Sequence, residues 1–384
     1  MRQIIYFDHA ATTRPFPEVL EAMLPYYSAS FGNPSSAYEL GEESKQAVEQ
    51  ARNTIAATLN VEPETIYFTS GGTEADNWAL RYAAGEAEKQ FRQPHIITTA
   101  IEHHAVLRTC EALEQEGVRV TYLPVDRNGI VDLNALERVI RPETVLISVM
   151  YANNEIGTIQ PVAQAARIAG RNGILFHCDA VQAYGQIPVD PKRLGIDLMS
   201  VSGHKLNGPK GIGFLYARQG IDLKPMLRGG SQEKKMRAGT ENVPGIVGMA
   251  AAAEISHRIL REKIYREAEL RNYFFKRLLT EIPGVKINGS TQTRLPNNMN
   301  CSISGVNGGA LVALLDLEGI CISAASACSA GSDALSHVQL AIGNTPAEAR
   351  SAVRITLGPE NTREEVDFAA DTIRRLVKKL READ

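Results

Sequence analysis

Three features of the sequence predict an α/β fold: a large domain with a mostly parallel sheet covered by helices, plus a smaller α+β domain. Between Ile66 and about Tyr216, short apolar runs alternate with helical patterns. A long stretch rich in Ala, Arg and Glu, from about Ile246 to Ile282, then reads as one connecting helix. Beyond it, short strand-like runs and helices are mixed without the earlier rhythm. At ~150 residues per domain, a chain of 384 residues with 44% hydrophobic residues has room for two or three domains.

The strand-like runs in order are IYFT, HIITT, VRVTYL, TVLISVM, ILFH, DLMSVS and GIGFLY, separated by segments such as TEADNWALRYAAGEAEKQ and PVAQAARIAG. That alternation implies βα units, and βα units imply parallel strands covered on both faces. After the long helix, strands are expected near VKIN, MNCSIS, CIS and VRITL, and helices at GALVALLDL, ALSHVQLAI and the C-terminal TREEVDFAADTIRRLVKKLREA. Thr345-Pro-Ala-Glu348 and Thr362-Arg-Glu-Glu365 are capping-box patterns that mark two helix starts. The expected division is 15–255 and 256–384. Residues 1–14 could pack on either domain by their sequence and are assigned to the second.

A formal charge of -3, from 41 basic and 44 acidic residues without long like-charge blocks, gives no electrostatic reason to expect nucleic acid or an anionic membrane as partner. MRQIIYFDHAATTR lacks the apolar core of a signal peptide, and the run near IVGMAAAAEI is far short of the ~20 residues a spanning helix needs. A soluble, cytoplasmic protein is therefore expected. The five cysteines, Cys110, Cys178, Cys301, Cys321 and Cys328, are odd in number and show no CxxC spacing. Neither a disulfide framework nor a metal site is expected from them.

In open α/β sheets ligands bind beyond the carboxyl ends of the strands, and polar residues collect there. IYFT leads to Ser70-Gly-Gly72-Thr73, a turn that opens a helix and suits a phosphate. HIITTA leads to Glu102-His103-His104, and TVLISVMYA to Asn153-Asn154-Glu155. ILFH leads to Cys178-Asp179 and Gln182, and DLMSV to Ser202-Gly-His204-Lys205. Each signal alone has an ordinary reading: Asp179 as a helix cap, His103 and His104 as loop-edge polar residues, Lys205 as a solvated lysine with Lys210 as its rival. Together they supply the needs of pyridoxal 5′-phosphate, namely a lysine, an acid for the pyridine nitrogen and a phosphate cradle.

The stretches YFDHAATT, FGNPSS, FTSGGTEADN, IEHHAV, NNEIGT, HCDAVQ, SVSGHKLNGPKGIG, RAGTEN, SAASACSAGS and VRITLG, in that order, resemble the cysteine desulfurases of the NifS/IscS type, a branch of the class V aminotransferases with PLP-dependent transferase fold type I. The resemblance runs from about residue 5 to beyond residue 358. It implies that Lys205, rather than Lys210, is the Schiff-base lysine, that Asp179 pairs with the pyridinium and that Gln182 bonds the ring oxygen. It further implies that His103 stacks on the ring and moves a proton, and that Asn154 and Arg354 serve the ring oxygen and the substrate carboxylate. Gly72, Thr73, Ser202 and His204 fall at the phosphate. Thr240, in RAGTEN, matches a phosphate contact made across a homodimer interface. The implied reaction takes L-cysteine to L-alanine and leaves sulfur on an enzyme thiol, for an acceptor such as an iron–sulfur scaffold or a tRNA-thiolation enzyme.

Cys328 is the expected nucleophile. It stands among Ala, Ser and Gly, with nothing large to pack against, and a loop of small residues loses little on leaving a surface. Ser326 to Asp333 is accordingly expected to be mobile, because one sulfur must be received in a pocket and handed on outside it. The other four cysteines lie in apolar segments and read as structural. Two other kinds of activity fit a thiol on this scaffold: another enzyme of the same fold, such as a small-amino-acid transaminase or selenocysteine lyase, and a sulfur carrier without cofactor turnover.

Overall fold

The structure, a computed structural model, describes residues 4–87, 91–324 and 335–383; Cys328 and the expected mobile segment around it lie outside the described residues. The strands are β1 (Ile5–Tyr6), β2 (Ile66–Thr69), β3 (His95–Thr99), β4 (Arg119–Leu123), β5 (Thr144–Ser148), β6 (Leu175–Asp179), β7 (Leu198–Ser202) and β8 (Gly213–Ala217). After the long helix come β9 (Val285–Ile287), β10 (Asn298–Ile303), β11 (Ile320–Cys321), β12 (Ser323–Ala324) and β13 (Ala352–Thr356).

Strands β2 to β8 form one sheet in the order β2-β8-β7-β6-β5-β3-β4. All its neighbours run parallel except β8, which is antiparallel to both β7 and β2. The reversal has a simple cause: only the short loop 203–212 separates β7 from β8, whereas a parallel return needs a crossover of a dozen or more residues. Every residue of β7 and β8 is buried, as expected of strands covered on both faces. One core holds Phe176, Met199, Phe214 and Tyr216 under the helix Glu39–Leu59 and the start of the long helix. Trp78 anchors the opposite face, donating its indole N–H to the Lys224 carbonyl at 2.6 Å.

The long helix runs from Val243 to Glu281, about 58 Å at 1.5 Å per residue. Asn242 caps it through the Gly245 N–H at 3.1 Å, and Pro244 occupies the first turn, where a missing N–H costs nothing. Ile246, Met249 and Ala253 at its start belong to the large-sheet core. Phe274, Phe275 and Leu278 near its end belong to a second core, with Met299, Ile303, Ile355 and Ile373.

The second core lies over a four-stranded antiparallel sheet, β12-β13-β10-β9. The expected strand CIS is split: Cys321 pairs with the N-terminal Tyr6 in a separate two-stranded ribbon, while Ser323 pairs with Arg354. Both expected capping boxes form, at Thr345/Glu348 and Thr362/Glu365. The helix expected over ALSHVQLAI starts at His337, where the Ser336 hydroxyl accepts from Gln339 N. No helix among the described residues is long and apolar enough to cross a membrane.

The N-terminal segment bridges the two units. Phe7 packs edge-on against Phe274, whereas Thr13 N donates to the His204 carbonyl at 2.9 Å. On the distribution of the two cores we propose the division 15–255 and 256–384, with residues 1–14 joining the second unit.

Candidate active site

The carboxyl ends of β2, β6 and β7 and the loops after β3 and β5 open on one cavity of about 320 Å³, closed on its far side by residues of the N-terminal segment and of β12 and β13. Of the sequence-expected residues, Gly72, Thr73, His103, Asn154, Asp179, Gln182, Ser202, His204, Lys205 and Arg354 all line it.

The helix Gly72–Ala87 starts directly after the turn that follows β2. A side chain at position 72 would collide with Val181, its Cβ lying 2.6 Å from a Val181 methyl, so only glycine lets this helix end approach the β6 loop. The first-turn amides, with the Thr73 and Ser202 hydroxyls and His204, make a cradle for an anion. His204 is held through Nδ1 by the Thr12 hydroxyl at 3.1 Å. Burial, with Lys205 and Lys210 nearby, lowers its pKa to about 4.

Asp179 is the last residue of β6. Its Oδ1 accepts the Val181 N–H at 2.9 Å, and burial pushes its pKa up to about 6 despite that bond and the charge of Lys205. A buried carboxylate with so little compensation is stabilised by a cation placed against it. Lys205 ends the short turn after β7, and its Nζ donates to the carbonyls of Ala10 at 2.6 Å and Ala11 at 2.8 Å. Gln182 Nε2 donates to the same Ala10 carbonyl at 3.1 Å. Lys210 is exposed and does not line the cavity.

His103 caps the helix His104–Gln115, its Nδ1 accepting from Ala105 N at 3.1 Å. That bond places the ring proton on Nε2. Burial, with the charge of Lys205 next, lowers the His103 pKa to about 4, so the ring is neutral. The neighbouring Asn153 serves the turn instead, accepting from Glu155 N and Ile156 N and donating to the Ile101 carbonyl.

Arg354, in the middle of β13, enters from the second unit. Its Nη1 donates to the Asn154 carbonyl at 3.1 Å, and its Nη2 to Asp8 Oδ1 at 2.8 Å and to Ser323 Oγ at 3.2 Å. Its Nε is buried with no partner among the described residues. Thr240 does not reach this cavity; it is exposed beside a smaller cleft shared with Ser70 and Arg237.

Sequence reasoning missed Asp8, Ser323, Ala10, Ala11 and Asp76. Asp76 is one helical turn beyond Gly72, a spacing that puts both on one face. It is fully buried and lines the cavity, 3.6 Å from His177 Nε2, and burial together with Asp179 holds its pKa well above the carboxylate range. For Ser323 there was no local signal, since its place depends on pairing with Arg354.

This constellation of lysine, acid and anion cradle on a mostly parallel sheet defines the class: over residues 5–368 the chain belongs to the aminotransferase class-V family. Within that family it is similar to the cysteine desulfurase IscS of Methanosarcina thermophila, 48% identical over 98% of this chain and 93% of the relative. The enzyme of the same name from Dictyoglomus turgidum is 47% identical over 99% and 96%. Among solved structures, a NifS-like protein superposes with a TM-score of 0.92 at 40% identity, covering 98% of this chain and all of the other. SspA in complex with cysteine superposes with a TM-score of 0.83 at 38% identity, covering 93% of this chain and 100% of that one.

Proposed function

We propose that the protein is a pyridoxal-phosphate-dependent cysteine desulfurase, converting L-cysteine to L-alanine and passing the sulfur through a persulfide on Cys328 to an acceptor protein. The observation that carries this reading is the convergence of Lys205, Asp179, His103 and Arg354, drawn from both units, on one cavity. The residues present fit the cofactor. A buried carboxylate in want of a cation suits a pyridinium, the helix start at Gly72 with Thr73, Ser202 and His204 suits a phosphate, and the Lys205 amine suits the aldehyde.

Bound there, pyridoxal phosphate would supply an electron sink for bonds at the substrate's α and β carbons. Lys205 would be the covalent anchor, and its Nζ would take and return a proton at the substrate. Asp179 would keep the pyridine nitrogen protonated. His103, neutral and with Nδ1 occupied, has Nε2 as the atom through which it exchanges a proton. Gln182 and Asn154 would face the ring oxygen, and Arg354 would receive the substrate carboxylate. At Cys328 the thiolate attacks the substrate sulfur. An S–S bond forms as the C–S bond breaks, the departing electron pair stays with the carbon skeleton, and a proton completes alanine, so no outside reductant enters this half of the reaction.

Four enzyme cysteines are poor candidates for that attack: Cys110, Cys178 and Cys301 are fully shielded, and burial pushes all four thiols, Cys321 included, above their ordinary pKa. The homodimer, with Thr240 of one chain completing the phosphate site of the other, and the acceptor, an iron–sulfur scaffold or a tRNA-thiolation enzyme, belong to the same proposal, as does a cytoplasmic location. The test is an assay of alanine and sulfide from L-cysteine with and without a thiol reductant. Equimolar alanine with reductant-dependent sulfide is expected. Pyruvate-forming or transaminating turnover would overturn the assignment.

A further inference from the structure

Asp8 stands against the guanidinium assigned to the substrate, and the hydrogen bonds of its carboxylate go to Arg354 and Ser323. Its Oδ1 accepts from Arg354 Nη2 at 2.8 Å, and its Oδ2 accepts from the Ser323 hydroxyl at 2.8 Å. Ser323 Oγ in turn accepts from Arg354 Nη2 at 3.2 Å, which closes a three-membered ring of hydrogen bonds. Arg354 itself is 5% exposed. Both Nη atoms are engaged, one by this ring and one by the Asn154 carbonyl, while Nε is buried with no partner among the described residues. A long arginine side chain has many rotamers, and fixing its plane before the ligand arrives removes an ordering cost from binding.

The backbone makes Asp8 a suitable brace. Asp8 forms a β-bridge with Thr356, two residues along β13 from Arg354, and Ser323 lies directly opposite Arg354 in the β12–β13 register. The Tyr6 hydroxyl donates to the Asp8 carbonyl at 3.1 Å, and Ala10 N donates to Thr356 Oγ1 at 2.9 Å. The carboxylate is therefore held on the same sheet edge as the guanidinium it orients.

We propose that Asp8 is the positioning residue for Arg354: with Ser323 it locks the guanidinium plane so that the remaining donors meet the α-carboxylate of the substrate. The proposal rests on Arg354 being the carboxylate receptor. It makes Asp8 matter for the carboxylate of a ligand and not for its amine or thiol.

The experiment compares L-cysteine with 2-aminoethanethiol, which is cysteine without its carboxylate. Dissociation constants are read from the change in cofactor absorbance in the holoenzyme, in a Cys328→Ser background that halts sulfur transfer. With Asp8→Ala, the constant for L-cysteine should rise by about tenfold or more while that for 2-aminoethanethiol moves by less than about twofold. Asp8→Asn, which keeps a carbonyl acceptor for Arg354, should recover most of the loss. Ser323→Ala, a smaller change that keeps the test alive if Asp8→Ala does not fold, should give a selective loss of about threefold. Equal losses for both ligands, or none for either, would overturn the proposal. Arg354→Ala is the separating control. If it weakens L-cysteine selectively and the Asp8 and Ser323 variants do not, the brace alone is wrong; if it has no selective effect, the receptor reading and the brace fall together.

Discussion

His103 shows how a single residue's environment decides its role. The ring spends Nδ1 on capping its own helix at Ala105, and burial near the Lys205 charge depresses its pKa to about 4. Desolvation penalises the imidazolium, so the neutral form persists well below the ordinary histidine range. Nitrogen-15 NMR of selectively labelled protein should find His103 neutral and protonated at Nε2 at pH 6; titration near 6.5 would contradict the geometry. At this scale the sequence was informative. That Lys205, Asp179, His103 and Arg354 share one cavity was legible, because strand-end positions and a family pattern name residue types directly. Asp8 was printed in the same YFDHAATT stretch, yet its task could not be read, since it depends on a bridge to Thr356 across nearly the whole chain.

Among the elements, the turn Glu233–Lys235 is the least expected. Glu233, Lys234 and Lys235 all have positive φ, at 44°, 57° and 69°, although none is Gly, Asn or Asp. Elsewhere such a run costs ~1–2 kcal/mol per residue. Here the cost is offset from outside the turn: Glu233 forms a bidentate ion pair with Arg52, at 2.7 and 3.0 Å, and accepts the Phe68 N–H at 2.8 Å. Both side chains are buried. No local pattern in SQEKKM signals this, because the determinant is an arginine 181 residues away. Glu233→Ala leaves Arg52 charged, buried and without its main partner, and should cost about 3–5 kcal/mol in denaturant unfolding. A loss below ~1 kcal/mol would mean that the pair is not fully desolvated. The strands of the large sheet were legible for the opposite reason, since runs such as GIGFLY are apolar on both faces and need no distant partner. The two-residue strands at Ile320–Cys321 and Ser323–Ala324 exist only through their pairing with Tyr6 and Arg354.

At the scale of the whole molecule, the cavity is built between two cores joined by one long helix and strapped by the N-terminal segment. Thr240 stands apart from it, exposed, which suits a role on a second copy of the chain. If each site takes Thr240 from its neighbour, Lys205→Ala and Thr240→Ala chains should complement. A mixed dimer contains one site with Lys205 and Thr240 both intact, and should recover up to about half of the normal activity per dimer. No recovery on co-expression would contradict the shared site.

The proposed reaction requires Lys205 and Cys328 to act in sequence on L-cysteine. It is tested most directly by mass spectrometry of peptides after one brief exposure of the cofactor-loaded enzyme to L-cysteine. An addition of about 32 mass units, one sulfur, is expected on the peptide containing Cys328 in the wild type, and none in Lys205→Ala. An adduct on Cys110, Cys178, Cys301 or Cys321 instead, or one on Cys328 that survives the loss of Lys205, would contradict it.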